Sequence, residues 1–346
     1  MGHRAWLATF LLTLLLVAGA GEVLYRLAGC FSLTACRAAD VEAGVYDHGS
    51  LALFGSSVSH HALGTTPRLY GPVANLTTVG ATTLAGDLAL LRRLLGRGVP
   101  LRSVVLLATP EMFGYRLTAE DERRRTYFTN VFDRPEETAL FVRLSGADAD
   151  RIATSAPQRA LESRRAFLAD ARNMWRLVEA RQQDGAAAPL APDAQAARPG
   201  RPEVDAGQAA RAAARSNELA GLELPNADSR AVLRALEEEC ARRALRCVVG
   251  LEPIQESVYA RLAASGQLAA LHDAVAGLCW IDLNQPSSWP DGAFEDVVHL
   301  SAGPWTAHYR SLLLALAARL AAPSDATDDP CGDAAQASIV DGIARR

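Results

Sequence analysis

The sequence predicts an α/β fold, with a parallel sheet covered by helices on both faces. Three observations carry this expectation. Short, nearly all-apolar runs such as "SVVLLATP" at residues 103–110 have the composition of strands buried on both faces. Between such runs lie longer segments with apolar residues at helical spacing, such as "TTLAGDLALLRRLLGRG" at 82–98. Strand, helix and strand then alternate at the spacing of a parallel sheet. At 346 residues the chain is long enough for one large domain or two modest ones.

Taken in chain order, the first feature is "AWLATFLLTLLLVAGAG", the 17 uncharged residues from Ala5 to Gly21 between Arg4 and Glu22. As a helix it spans ~26 Å, the short end of what a bilayer core needs. Two readings stand. One is an uncleaved signal anchor over residues 1–26, with its basic end in the cytoplasm. The other is a signal peptide cut after Ala20, at the small-x-small site "AGA". Apolar character resumes at Val23, Leu24 and Tyr25, which favours the anchor. Both readings place the body of the protein outside the cytoplasm.

After a short linker, the main domain is expected over residues 45–321. "SLALFGSS" reads as a buried strand ending in a turn, and "VANLTTVG" at 73–80 as a second short strand. The helix at 82–98 has Thr82 or Thr83 as its cap and Gly96 and Gly98 at its stop. The third strand follows at 103–110. Residues 119–183 are charged and helix-prone and read as a helical insertion. Residues 184–216 begin with four prolines by position 202 and almost no large apolar side chains, the composition of a flexible loop. The alternation then returns with the amphipathic helix "SRAVLRALEEECARRALR", the strands "CVVGLEP" and "LCWIDLNQ", and a closing helix at 303–320. Residues 322–346 are rich in Asp, Ala and Ser and read as a disordered tail.

The composition excludes some roles. Net charge is −4, and arginine supplies all the positive charge because the chain has no lysine. The arginines are interspersed with acids, as in "EDERRR" at 120–125, so no basic stripe suits a nucleic acid. Six cysteines fit an oxidising compartment. None forms a Cys-x-x-Cys motif, which disfavours a zinc or redox site. The close pairs Cys30 with Cys36 and Cys240 with Cys247 are the expected bridges, leaving Cys279 and Cys331.

Candidate chemistry sits at two places. "FGSS", Phe54 to Ser57, puts serines in a turn at the carboxyl end of the first strand, where open α/β sheets carry their sites. A serine hydroxyl needs a base within hydrogen-bond reach and a third group to orient that base. "DGAFEDVVHLSAG" supplies Asp296 and His299, three residues apart, just before the last helix. A carboxylate so placed fixes the imidazole tautomer and stabilises the imidazolium. His60 and His61 lie one helical turn beyond Ser57, near the same face. They read as rim residues that touch substrate, or as plain surface, since a base from a separate loop has freer approach to the serine. They lack a third ligand for a metal, and no metal or cofactor is expected. His272 and His308 fall on helical segments and read as packing or surface residues. Asn75 heads a formal glycosylation sequon, but a buried strand is a poor acceptor.

Taken together, the two stretches resemble the SGNH/GDSL hydrolase superfamily, over roughly residues 50–110 and 240–320. The resemblance implies a three-layer, SGNH-like (flavodoxin-like) α/β domain. It implies Ser57 as nucleophile, because Gly55-Ser56-Ser57 stands where the family has Gly-Asp-Ser, and so leaves Ser56 as a turn residue. "NLTTVG" is similar to the second block, which makes the Gly80 N–H an oxyanion donor beside that of Ser57. His299 is then the base and Asp296 its orienter. The third block departs: "ATPE", Ala108 to Glu111, stands where the family has Gly-x-Asn-Asp, so the oxyanion asparagine is missing. Losing such a donor can cost ~10²-fold in turnover. The Gly-Ser-Ser start, the "F-x-D-x-x-H-L" end and the N-terminal anchor are similar to a membrane-anchored branch. That branch contains the D-alanyl transfer protein of teichoic-acid modification and polysaccharide acyl-transfer proteins. This likeness implies a serine esterase or O-acyltransferase acting on an acylated cell-envelope glycan, with a multi-pass membrane acyltransferase as a partner. A catalytically inactive envelope protein that binds a glycan or such a partner is the alternative.

Overall fold

A computed structural model describes residues 33–64, 66–78, 83–117, 135–145, 206–285, 289–295 and 298–322, with the isolated positions 13, 19, 199, 200 and 202. Helix α1 (Leu33–Glu42) leads into β1 (Leu51–Phe54), α2 (Ser57–Leu63), β2 (Val73–Asn75), α3 (Leu84–Gly96) and β3 (Ser103–Ala108). The short α4 (Pro110–Gly114) and α5 (Pro135–Ser145) follow. Helices α6 (Ala206–Ala220) and α7 (Ala227–Arg243) then return the chain to β4 (Arg246–Leu251). Helices α8 (Glu256–Ala264) and α9 (Gln267–Ala274), strand β5 (Cys279–Asp282), a 3-10 turn at Asp291–Ala293 and α10 (Pro304–Ala321) complete it.

All five strands are parallel, in the order β2-β1-β3-β4-β5. The α/β expectation therefore holds. Alternate residues of each strand serve opposite faces. Ala52, Phe54, Val104, Leu106, Val249 and Leu251 enter one core with α3 and α7. Leu51, Leu53, Val105, Leu107, Val248 and Ile281 enter a second core with α2 and α10. Having apolar neighbours on both sides is what makes each strand an unbroken apolar run. In this order the chain reverses direction between β1 and β3, which opens a crevice beyond their carboxyl ends. The turn after β1 and the chain after β4 both enter that region.

Where sequence and structure differ, the cause is local. Helix α6 begins at Ala206, inside the stretch read as a flexible loop. Beyond Pro202 the segment is alanine-rich, and alanine has the best intrinsic helix propensity. Only Ala212, Ser216 and Leu219 of this helix are buried, so the face it turns inward is built mostly of small residues of low hydropathy. Helix α1 likewise occupies the segment read as linker, and its Ala38 and Val41 join the first core. The sequon residue Asn75 is fully buried, with its amide spent on the Gly64 and Thr66 carbonyls.

The bridge Cys240–Cys247 is present and ties the end of α7 to the start of β4. Cys36 and Cys279 are also disulfide-bonded. Apart from positions 13 and 19, the expected anchor at 1–26 lies outside the described residues, as do Cys30 and Cys331. So do the insertion apart from α5 and the tail beyond residue 322. No helix among the described residues is long and apolar enough to cross a membrane.

Candidate active site

Strand β1 delivers Gly55, Ser56 and Ser57 to the crevice. A Cβ on Gly55 would stand 2.7 Å from Cβ and 2.8 Å from Oγ of Ser59, so only glycine lets the strand turn this tightly into α2. Ser56 is the N-cap of α2, and its Oγ accepts from the Val58 N–H at 3.1 Å. The Ser56 carbonyl takes the His60 N–H at 2.9 Å. Ser57 opens the helix half-buried, with its hydroxyl toward the crevice.

The residue that meets it comes from the far end of the chain. His299 Nε2 lies 2.8 Å from Ser57 Oγ, across 242 residues of sequence. His299 is held in a tight loop before α10. Phe294 and Leu300 pair as an antiparallel bridge, and the Glu295 N–H donates to the His299 carbonyl at 2.9 Å. An imidazole nitrogen at this distance can take the hydroxyl proton as the oxygen attacks. Asp296 and Gly80 fall outside the described residues.

The two neighbouring histidines part company. His61 is exposed at the mouth, and its ring stacks on that of His299 with centroids 4.7 Å apart and planes 24° from parallel. His60 points the other way and is buried, so it belongs to neither rim nor surface as the sequence suggested. One residue step is a 100° turn on a helix, which separates adjacent side chains onto core and solvent faces. Burial lowers the His60 pKa to about 3, helped by the charges of Arg37 and then His61, while a hydrogen bond to the Thr77 backbone opposes the shift. His60 is therefore neutral at any ordinary pH. His308 is also buried, packed against Trp289 and Trp305.

Glu252, which the sequence reading passed over, organises the floor of the site. It follows β4 and is fully buried. Its Oε1 accepts from the Ser56 N–H at 3.3 Å and the Ser59 N–H at 3.2 Å. The Ser56 hydroxyl bonds Oε2 and the Ser59 hydroxyl bonds Oε1. Tyr309 of α10 meets the Ser59 hydroxyl at 2.9 Å. One carboxylate thus ties β1, α2, β4 and α10 together around the nucleophile turn. Burial raises the Glu252 pKa, and the hydrogen bonds from both serines pull against that shift. A signal was available: "VVGLEP" ends a buried strand with an acid, an unusual residue to commit to the interior. Beside it, Asp87 on α3 is fully buried, and neither carboxyl oxygen has a hydrogen-bond partner among the described residues. Burial first, and then the Glu252 charge, drive its pKa well above the ordinary range.

With Ser56, Val58, Ser59 and His60 all donating, the Ser57 N–H is the one amide of this first turn without an acceptor among the described residues. It is the donor available to an oxyanion. No protein-family model matches this sequence, and no curated protein matches it. After β3, Thr109 caps α4, Pro110 starts it, and Glu111 pairs with Arg215 of α6. Of the buried asparagines among the described residues, Asn75 and Asn226 give their amide N–H groups to backbone carbonyls, and Asn284 gives its own to the Glu252 carbonyl and the Asp282 carboxylate. Asn284 links Glu252 to Asp282, whose carboxylate takes the Tyr259 hydroxyl at 2.6 Å. No cluster of three or more metal-ligating side chains occurs among the described residues.

Proposed function

We propose that this chain is an extracytoplasmic serine esterase or O-acyltransferase of SGNH type, acting on an acylated cell-envelope glycan. The observation that carries the reading is the 2.8 Å contact between Ser57 Oγ and His299 Nε2 at the carboxyl end of the sheet. Ser57 attacks the acyl carbonyl while His299 takes its proton. The tetrahedral oxyanion rests on the N–H groups of Ser57 and Gly80. The protonated His299 then hands its proton to the leaving alkoxide, and an acyl-serine remains. Water, or a sugar hydroxyl, completes the cycle with His299 again as base. Asp296 takes the role of orienting the ring from its far nitrogen. No metal or cofactor enters this chemistry. The N-terminal apolar segment holds the domain at the outer face of the cell membrane, or leaves it secreted if cut after Ala20. A multi-pass membrane acyltransferase fits as donor of the acyl group.

A fluorophosphonate probe tests the reading directly. Wild-type protein labels and Ser57→Ala does not; equal labelling of the two sinks the assignment. One observation favours a second reading, a non-catalytic envelope protein that binds a glycan or a membrane acyltransferase. The described residues directly after β3, Thr109 to Leu117, hold no asparagine that could complete an oxyanion hole. Under that reading Ser57→Ala and His299→Ala leave cellular function intact.

A further inference from the structure

We infer that His61 is a positioning residue for His299, and that the face of its ring, not its capacity to carry a proton, is what the site uses. The inference rests on the reading of Ser57 and His299 as nucleophile and base. Ser57 and His61 are four residues apart on α2, so they stand on one side of the helix. His299 approaches from a separate loop and meets both. Its edge reaches the serine hydroxyl at 2.8 Å, and its face lies on His61 at a centroid distance of 4.7 Å. These two contacts restrain different motions. A hydrogen bond along the ring edge fixes the direction of Nε2 but leaves the ring able to rock about that axis. A stacked face removes the rocking. Base and nucleophile must keep their alignment through two proton transfers, and small misplacements cost rate steeply.

The stack also bears on charge. When His299 holds the serine proton it is a cation lying over the face of the His61 ring. That arrangement is worth about a two- to five-fold preference at an exposed site. His60 shows why the neighbour on the helix cannot serve: one 100° step around α2 leaves it buried, near the charge of Arg37. Around the stack, Arg310 of α10 donates to the Ala62 carbonyl, next in sequence to His61. The Glu295 amide holds the His299 carbonyl.

The experiment uses three forms of the full chain: wild type, His61→Ala and His61→Phe. His61 is exposed, so neither substitution threatens the fold. Phosphonylation rates at neutral pH give one readout. The expected result is a loss of about two- to five-fold or more in His61→Ala, with most of the rate recovered in His61→Phe. The second readout needs no activity. In histidine-labelled protein, the His299 ring C–H resonances move in His61→Ala as the neighbouring ring current disappears. They stay perturbed in His61→Phe. An alanine variant as fast as wild type, or a phenylalanine variant as slow as alanine, overturns the inference. So do His299 resonances that ignore the alanine substitution. If wild-type Ser57 never labels, the hydrolase reading fails by itself, and the resonance comparison still decides whether the stack orders His299.

Discussion

Replacing His60 by glutamine should remove a defined part of the acid sensitivity of the fold. Burial holds the His60 ring at a pKa of about 3, whereas in the unfolded chain it returns to 6.5. The folded pKa is depressed, so the stabilisation is complete above the unfolded value and is lost as pH falls. From pH 7 to pH 5 the unfolded chain goes from about one quarter protonated at this site to nearly full, and the folded chain takes up almost no proton. Linkage then gives a loss of about 2 kcal/mol over those two units, continuing at about 1.4 kcal/mol per unit down to the folded pKa. The figure at pH 5 is the same for any folded pKa below about 4, because the native ring is neutral throughout that interval. The assay is urea denaturation of wild type and His60→Gln at matched pH values, compared as a difference. All other titrating groups occur in both proteins and cancel. Wild type should lose about 2 kcal/mol relative to the variant between pH 7 and pH 5. A difference that stays flat would mean that His60 takes up its proton in the native state. The account of a buried, neutral imidazole beneath the nucleophile helix would then be wrong.

Glu252→Ala leaves two buried amide donors, those of Ser56 and Ser59, without acceptors. At about 1–3 kcal/mol each, the loss should be about 2–6 kcal/mol, seen as a fall in Tm together with slower Ser57 labelling. Glu252→Gln keeps the Oε1 acceptor and should recover most of both; equal damage from the two variants would contradict the acceptor role. Asp87→Asn should stabilise the fold at neutral pH and lose that advantage below the usual carboxylate range. The raised native pKa makes the wild-type carboxyl contribute stability at low pH that fades as pH rises toward its folded pKa, a trend measurable by denaturation across pH. Replacing both Cys240 and Cys247 by serine opens a link of sequence separation 7. Chain entropy sets the cost at about 2.5 kcal/mol, readable in the urea midpoint of the variant.

How far the fold could be read in advance varied with how each element is buried. "LALF" and "SVVLLA" announced themselves because both faces of the strands are covered. The closing helix was equally plain, since Leu312, Leu313, Leu316 and Leu320 recur on one side. Helix α6 left little trace because its inward face holds two small residues and one leucine, which carry little hydropathy of their own. At the candidate site, Ser57 and His299 were expected through the resemblance, and the two side chains meet in the structure. The division between His60 and His61 was not legible. Both have the same chemistry, and only the packing of α2 against Arg37 and Thr77 decides which one is desolvated. Glu252 was visible in principle as an acid closing an apolar strand. Its partners, though, are 193 and 196 residues away in sequence, and no local pattern connects them.

Those long separations govern when the site can exist during synthesis. The serine turn emerges early, but Ser56 waits 196 residues for the carboxylate that braces it and Ser57 waits 242 for its imidazole. Until the last strand and the loop before α10 have been made, the nascent chain carries an ordinary alcohol on an unbraced turn. Contacts of such high order are paid for late in folding, after the local helices have formed. A product that stops short of residue 299 therefore keeps the whole nucleophile segment yet never acquires the contact that distinguishes it.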